Sequence, residues 1–208
     1  MMRPWLWLTI FAFLLAGLVS GCRSITPPVT YYTLNATTLP PAESNDGAKA
    51  DLTVGIRSVG LPGYVNRQQM VVRSGANRLL ISSLNRWADY PDRMVQQTIG
   101  ENLQWLMPHI RMVNAPWPVE IKPDVILSFQ FLELIGTGKR RVSLTAIWTI
   151  AGSPDKATDA AVVQTHRTHL IEPITGSGFG ELAAAHSRAI GTLCRKVATA
   201  LDAYTRSR

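Results

Sequence analysis

Cysteine is scarce in this chain: Cys22 and Cys194 are the only two among 208 residues. The cysteine pair that a structural zinc site needs is therefore missing. The histidines do not replace it. His166 and His169 stand three apart on a predicted strand, which turns their side chains to opposite faces, and His109 and His186 are isolated. Nucleotide-loop signatures are lacking as well. Gly176-Ser177-Gly178-Phe179-Gly180 precedes a helix, but no Gly-Lys-Ser/Thr ending and no strand-helix-strand unit follows. It reads as a plain strand-to-helix connection. No Gly-x-Ser-x-Gly elbow exists, and Asp89 and Asp92 at a helix start suit caps or dipole partners. The enzyme classes that need these groups are excluded, and a catalytic role is not expected. No internal repeat and no sustained heptad is present.

Long hydrophobic runs are also wanting. The longest apolar stretch, Pro4 to Val19, has 16 residues, short of the roughly 20 that span a bilayer. It follows Met1-Met2-Arg3 and ends in Val19-Ser20-Gly21-Cys22. A positive start, a short apolar core and small residues before a cleavage point define a secretory signal. Val, Ser and Gly directly before a Cys resemble a bacterial lipobox. The resemblance implies cleavage after Gly21, a diacylglycerol thioether on Cys22 and an acylated N-terminus. One acyl chain holds a protein only marginally, at ~0.8 kcal/mol per buried CH₂, whereas several anchor it stably. Residue 23 is Arg and not the Asp that favours inner-membrane retention, so the outer membrane is expected. No cofactor beyond that covalent lipid is expected.

Residues 1–21 are thus a signal, 22–30 a lipidated tether, and 31–208 one periplasmic domain of a size that builds a real core. With Cys22 lipidated, Cys194 has no partner for a disulfide. It falls in an apolar-periodic helix and suits a buried small hydrophobe. Net charge is +7, or +6 once Arg3 leaves with the signal. Such a balance favours anionic surfaces, but secretion argues against nucleic acid. Lys139-Arg140-Arg141 is the one tight basic cluster, and suits a solvated loop.

Along the domain, Tyr31 to Leu34 reads as a strand and Asn35 to Ala50 as a Pro-, Ala- and Ser-rich surface loop. A strand from Val54 is stopped by Leu61-Pro62-Gly63-Tyr64. Gln69–Arg73 and Arg78–Ser82 flank Gly75-Ala76-Asn77 as a hairpin. Arg86-Trp87-Ala88-Asp89 leads into Pro91, a residue suited to a first helical turn, and Val95, Ile99, Leu103 and Leu106 recur at helical spacing until Pro108. Ile110–Val113 is a short strand. Asp124–Glu133, Val142–Ile150 and Val162–Ile171 alternate as strands of an antiparallel meander, joined by turns at Gly136-Thr137-Gly138-Lys139 and at Gly152 to Asp159. A long helix runs from Glu181 to Tyr204, with Ser177 as its candidate cap. The expected fold is a single α/β domain, a mixed sheet of mostly antiparallel strands packed by two main helices. Tyr64, Arg67, Arg73, Arg86 and Trp87 are candidate partner-binding residues, because aromatic and Arg side chains combine buried area with hydrogen bonding. Their alternative is Trp87 in the core and solvated arginines.

The order and spacing of several segments resemble one family across nearly all of the mature chain. The segments are Tyr31-Tyr32-Thr33-Leu34, Val59-Gly60-Leu61-Pro62-Gly63-Tyr64 with Arg67, Val72-Arg73, Arg86-Trp87-Ala88, Glu101-Asn102-Leu103 through Leu106-Met107-Pro108, and Ala185-His186-Ser187-Arg188-Ala189. That family is the PqiC/YmbA type of ABC-transport auxiliary lipoprotein. The resemblance implies a non-enzymatic periplasmic domain on the outer membrane. It would partner an MCE-domain protein that spans the periplasm from an inner-membrane permease and ATPase, moving phospholipid or similar molecules. Homo-oligomeric rings occur in the family. The Asn35–Ala50 loop departs from its pattern. A different reading keeps the anchor and changes the partner: a cofactor of an envelope-assembly machine, such as a peptidoglycan synthase or secretion channel.

Overall fold

The structure, a computed structural model, describes residues 27–37, 52–138, 140–153 and 163–206. The signal, Cys22 and nearly all of the loop expected at Asn35 to Ala50 lie outside these residues. So does most of the turn expected at Gly152 to Asp159. The described elements are β1 (Thr30–Tyr32), β2 (Leu52–Gly60), β3 (Gln69–Arg73), β4 (Leu79–Trp87), α1 (Pro91–Leu106), β5 (Ile110–Asn114), β6 (Val125–Thr137), β7 (Arg141–Gly152), β8 (Val163–Pro173) and α2 (Phe179–Arg206).

The sheet is built on β6. Its Val125, Leu127, Phe129 and Phe131 alternate onto one buried face, as the apolar spacing predicts. A bulge between Phe131 and Glu133 resets the phase, so that Leu134 returns to the main core. The strand therefore runs on to Thr137, and Gly136 and Thr137 are paired residues instead of the expected turn. One edge of β6 is covered by β7 along its whole length. The other edge is shared. β2 pairs with Val125 to Gln130, and β3 takes Gly136 and Thr137. β5 extends the β2 branch, while β4 and then β1 extend the β3 branch.

The expectation of mostly antiparallel strands is corrected. Four of the seven pairings, β1–β4, β2–β5, β2–β6 and β3–β6, are parallel. The hairpin β3–β4 and the meander β6–β7–β8 are antiparallel. The cause is the crossover through α1, which returns the chain so that β5 and β6 run alongside β2 in the same direction. Alternation within a strand reports which face is buried and says nothing about a neighbour's direction. β4 also runs to Trp87, so Arg86 and Trp87 belong to a strand and not to a lead-in loop.

Both helices cover one face of the sheet. Val95, Ile99 and Leu103 of α1 and Leu193, Val197 and Leu201 of α2 join Ile56, Phe129, Phe131 and Leu144 in one core. α1 starts at Pro91 with Asp92 in its first turn. Close approach of the chain to α2 requires Gly191, where an added Cβ would lie 1.9 Å from Thr37 Oγ1. The start of the expected loop is tied down here: Thr37 N–H donates to Asn102 Oδ1 (3.1 Å) and Asn35 N–H to Ser187 Oγ (3.1 Å). Cys194 is fully buried, and that burial pushes its thiol up, out of reactive range.

Trp87 belongs to this core. It is 7% exposed and meets His186 of α2 edge-on, with ring centroids 5.5 Å apart. His186 is buried too, and its Nδ1–H donates to Leu182 O at 2.8 Å. Burial pushes His186 down to about 4, against the upward pull of the Leu182 and Leu134 backbone carbonyls.

Two outcomes are expected from this packing. Trp87→Ala should cost about 3–5 kcal/mol, the usual range for deleting a buried aromatic, measured by urea unfolding of the otherwise unchanged chain. His186 makes stability depend on pH. The unfolded chain takes up its proton near 6.5 and the native state only near 4. The stabilisation is thus complete above about pH 6.5 and is lost as pH falls, by about 3 kcal/mol at pH 4. Urea midpoints of the natural chain and of His186→Phe across pH 7 to 4 should diverge in slope over that window. Parallel slopes would place the histidine in solvent.

Candidate functional site

The helix-free face of the sheet carries most of the chemistry left over once the core is accounted for. The turn after β2 lies against it. Tyr64 and Leu61 pack on a small satellite cluster of Val65, Val71 and Ile135. The turn is closed by Val65 N–H and Asn66 N–H, which both donate to Pro62 O at 3.0 Å. Tyr64 is consequently half-buried.

Arg73 ends β3 and forms an ion pair with Glu133 at the β6 bulge. The second oxygen of Glu133 accepts from Ser143 Oγ at 2.8 Å. This ties the short β3–β6 ladder together across the face, where only two residue pairs form. On β7 and β8, Thr145 Oγ1 and His169 Nδ1 lie 2.9 Å apart. His166 faces the other way and stacks on Trp148 at 4.1 Å, so the two histidines do diverge. Among the described residues, no three His, Cys, Asp or Glu side chains gather to hold a metal ion.

The five candidate residues do not make a single patch. Trp87 is in the core, which corrects its assignment as a partner-binding side chain: β-strand alternation sends Trp87 inward towards α2 and its neighbour Arg86 outward. Arg86 pairs with Gln69 at one end of β3, and Arg73 with Leu79 at the other. Five residues of strand, about 13 Å, separate those ends. Arg67 and Arg86 are half-buried, each with its Nε enclosed and without a hydrogen-bond partner among the described residues.

Sequence reasoning missed an exposed apolar run at the edge of the sheet. Leu79, Leu80 and Ile81 are 36%, 56% and 51% exposed. Among the described residues, they lie where β4 has a neighbour on one side only, because β1 pairs with β4 solely at Asn85, Arg86 and Trp87. A wide bulge, braced by Asn85 N–H donating to Ser82 Oγ at 3.0 Å, separates the two regions. Val71, opposite Ile81, belongs to the satellite cluster, so Ile81 and Leu79 share the helix-free face and Leu80 points to the other. The sequence signal is ambiguous: three successive apolar residues in a strand break alternation, but such a run reads equally as a strand buried on both faces. An open, apolar strand edge is an invitation to pairing that soluble proteins ordinarily blunt.

No helix among the described residues is long and apolar enough to cross a membrane. No curated protein sequence matches the chain. By structure, it is similar to an uncharacterized protein at a TM-score of 0.68, with 15% identity over 84% of this chain and 99% of that one. A Xanthomonas campestris protein of family DUF330 is similar at 0.62, with 13% identity over 81% and 92%. A PelC dodecamer from Paraburkholderia phytofirmans gives 0.41, with 8% identity over 79% and 90%. The family of ABC-type transport auxiliary lipoprotein components matches residues 32–198, from β1 into the last turns of α2, and the chain belongs to that family.

Proposed function

We propose that this protein is a non-enzymatic accessory subunit anchored to the periplasmic face of the outer membrane by lipid on Cys22. Its folded body docks an MCE-domain protein that spans the periplasm from an inner-membrane permease and ATPase, in a system that moves lipid between membranes. Support for the transport role comes from membership of the auxiliary-lipoprotein family. Support for the anchor comes from the apolar run and the Val19-Ser20-Gly21-Cys22-Arg23 sequence. The observation that carries docking is the exposed Leu79 and Ile81 on an open strand edge. A partner segment laid there gains main-chain hydrogen bonds from the edge and burial from the side chains. Assembly of several copies into a ring around the tunnel end is part of the same proposal.

Affinity purification of the lipidated protein from mildly solubilised membranes, with mass spectrometry, tests the partner. The MCE protein and its permease should be recovered. Cell-wall synthases or a secretion channel in their place would overturn the transport role and leave the anchor standing. Cys22→Ser should appear in the soluble periplasmic fraction with unchanged unfolding behaviour, and a variant still membrane-bound would refute lipidation as the anchor. Ile81→Glu, at an exposed position, should alter stability by only about 0.5 kcal/mol yet lose the co-purified partner. Retention of the partner by this variant would move docking elsewhere on the domain.

A further inference from the structure

An open cleft of about 290 Å³ lies on the helix side of the sheet, where the ends of β3 and β6 meet the start of α2. Val72, Ile174, Phe179 and Leu182 supply its apolar walls. At its floor Leu182 packs directly on Gly136, where an added Cβ would come 2.5 Å from Leu182 Cδ1. Leu80, 56% exposed, is the register partner of Val72 and carries the apolar surface out to the β4 edge.

Among the described residues, Arg140 is the one charged residue lining the cleft. Its backbone is left-handed, with φ 53°, a conformation in which glycine is far less costly than arginine. It is held there by its N–H donating to Thr137 O (3.1 Å) and its carbonyl accepting from Ile174 N–H (2.9 Å). The guanidinium donates to Gly176 O and remains exposed. Glu181, the first acidic residue of α2, accepts instead from Thr175 Oγ1 at 3.4 Å. A conformation tolerated at some cost, with a cation placed at the mouth of an apolar cleft, is an outlier that points to use.

We infer that this cleft takes part of an acyl chain of an anionic phospholipid, with Arg140 at the headgroup phosphate. The chemistry selects this occupant. Directional polar groups that would orient a small polar ligand are few, whereas one cation beside an apolar slot complements an amphiphile with a single negative headgroup. The volume lies at the lower end of ligand sites, which run from about 300 Å³ upward. It suits a length of hydrocarbon and not a whole lipid, the rest of which stays in the membrane or on the Leu80 surface. The inference does not depend on which protein docks at the β4 edge.

The test uses the full-length protein in phosphatidylcholine vesicles containing a small fraction of phosphatidylglycerol with a diazirine on its acyl chain. After photolysis, adducts are mapped by mass spectrometry. They should fall on peptides containing Val72 and Ile174 to Leu182, and phosphatidylglycerol should label roughly fivefold more than the same diazirine chain on phosphatidylcholine. Arg140→Gly keeps the left-handed backbone and removes the charge, so it should bring that ratio close to one without loss of folding. Ser177→Trp, at an exposed lining position, should reduce labelling of the cleft by either lipid. Adducts confined to residues before Thr30, labelling indifferent to both substitutions, or cross-links joining two protein chains through the cleft would each overturn the proposal. None of these readouts requires a transport partner.

Discussion

The structure depends on one strand edge having to serve two neighbours. β6 spans 13 residues, longer than either β2 or β3. Its first half is paired by β2 and its last two residues by β3. A fully paired β6 must therefore hold two branches of sheet at once, and the bulge at Phe131/Glu133 lets its apolar face stay inward across the division. The β3 branch is attached by only two residue pairs of ladder. The Arg73–Glu133–Ser143 network compensates at that weak joint. A charge-assisted pair in this half-exposed position adds less to stability than the core does, but it fixes which residues of β3 meet the end of β6.

This division explains which features were legible in the sequence. The apolar alternation in Val125 to Phe131 and the helical spacing of α1 and α2 located the elements that cover one another. Periodicity measures burial, and these elements are buried. Strand direction was not legible, because the pleat is the same in parallel and antiparallel partners. The end of β6 was obscured by a bulge, where Leu132 and Glu133 interrupt the alternation. Gly136 then looked like a turn residue, although its lack of a side chain serves the approach of Leu182.

The candidate site was read less well, for a related reason. Arg and Trp were chosen by residue type, and type does not say which face a strand residue takes. Trp87 and Arg86 are adjacent, and adjacency in a strand means opposite fates: one meets His186 edge-on in the core, while the other lies beside Gln69. Arg73 is spent on Glu133. The exposed Leu79, Leu80 and Ile81 were hidden by their own hydrophobicity, which is ordinarily evidence of burial. Only the pairing pattern shows that β1 stops short of them.

The length of the tether adds a constraint on any partner. Thr30 lies eight residue steps beyond Cys22, which at full extension cover about 26 Å. β1 joins the sheet at the Trp87 end of β4, and the exposed leucines and Ile81 lie about 20 Å further along that strand. If Cys22 carries the anchor, the open edge stays within roughly 50 Å of the membrane in every orientation the tether permits. A partner rooted in the opposite membrane must then cross nearly the whole intervening space to reach it. The edge favours a partner that bridges membranes over one that stays at the far side. The cleft at Arg140 opens at the same hairpin, on the opposite face, because β4 turns Leu80 one way and Leu79 and Ile81 the other. On the two proposals, a single strand would offer one face to a protein and the other to a lipid.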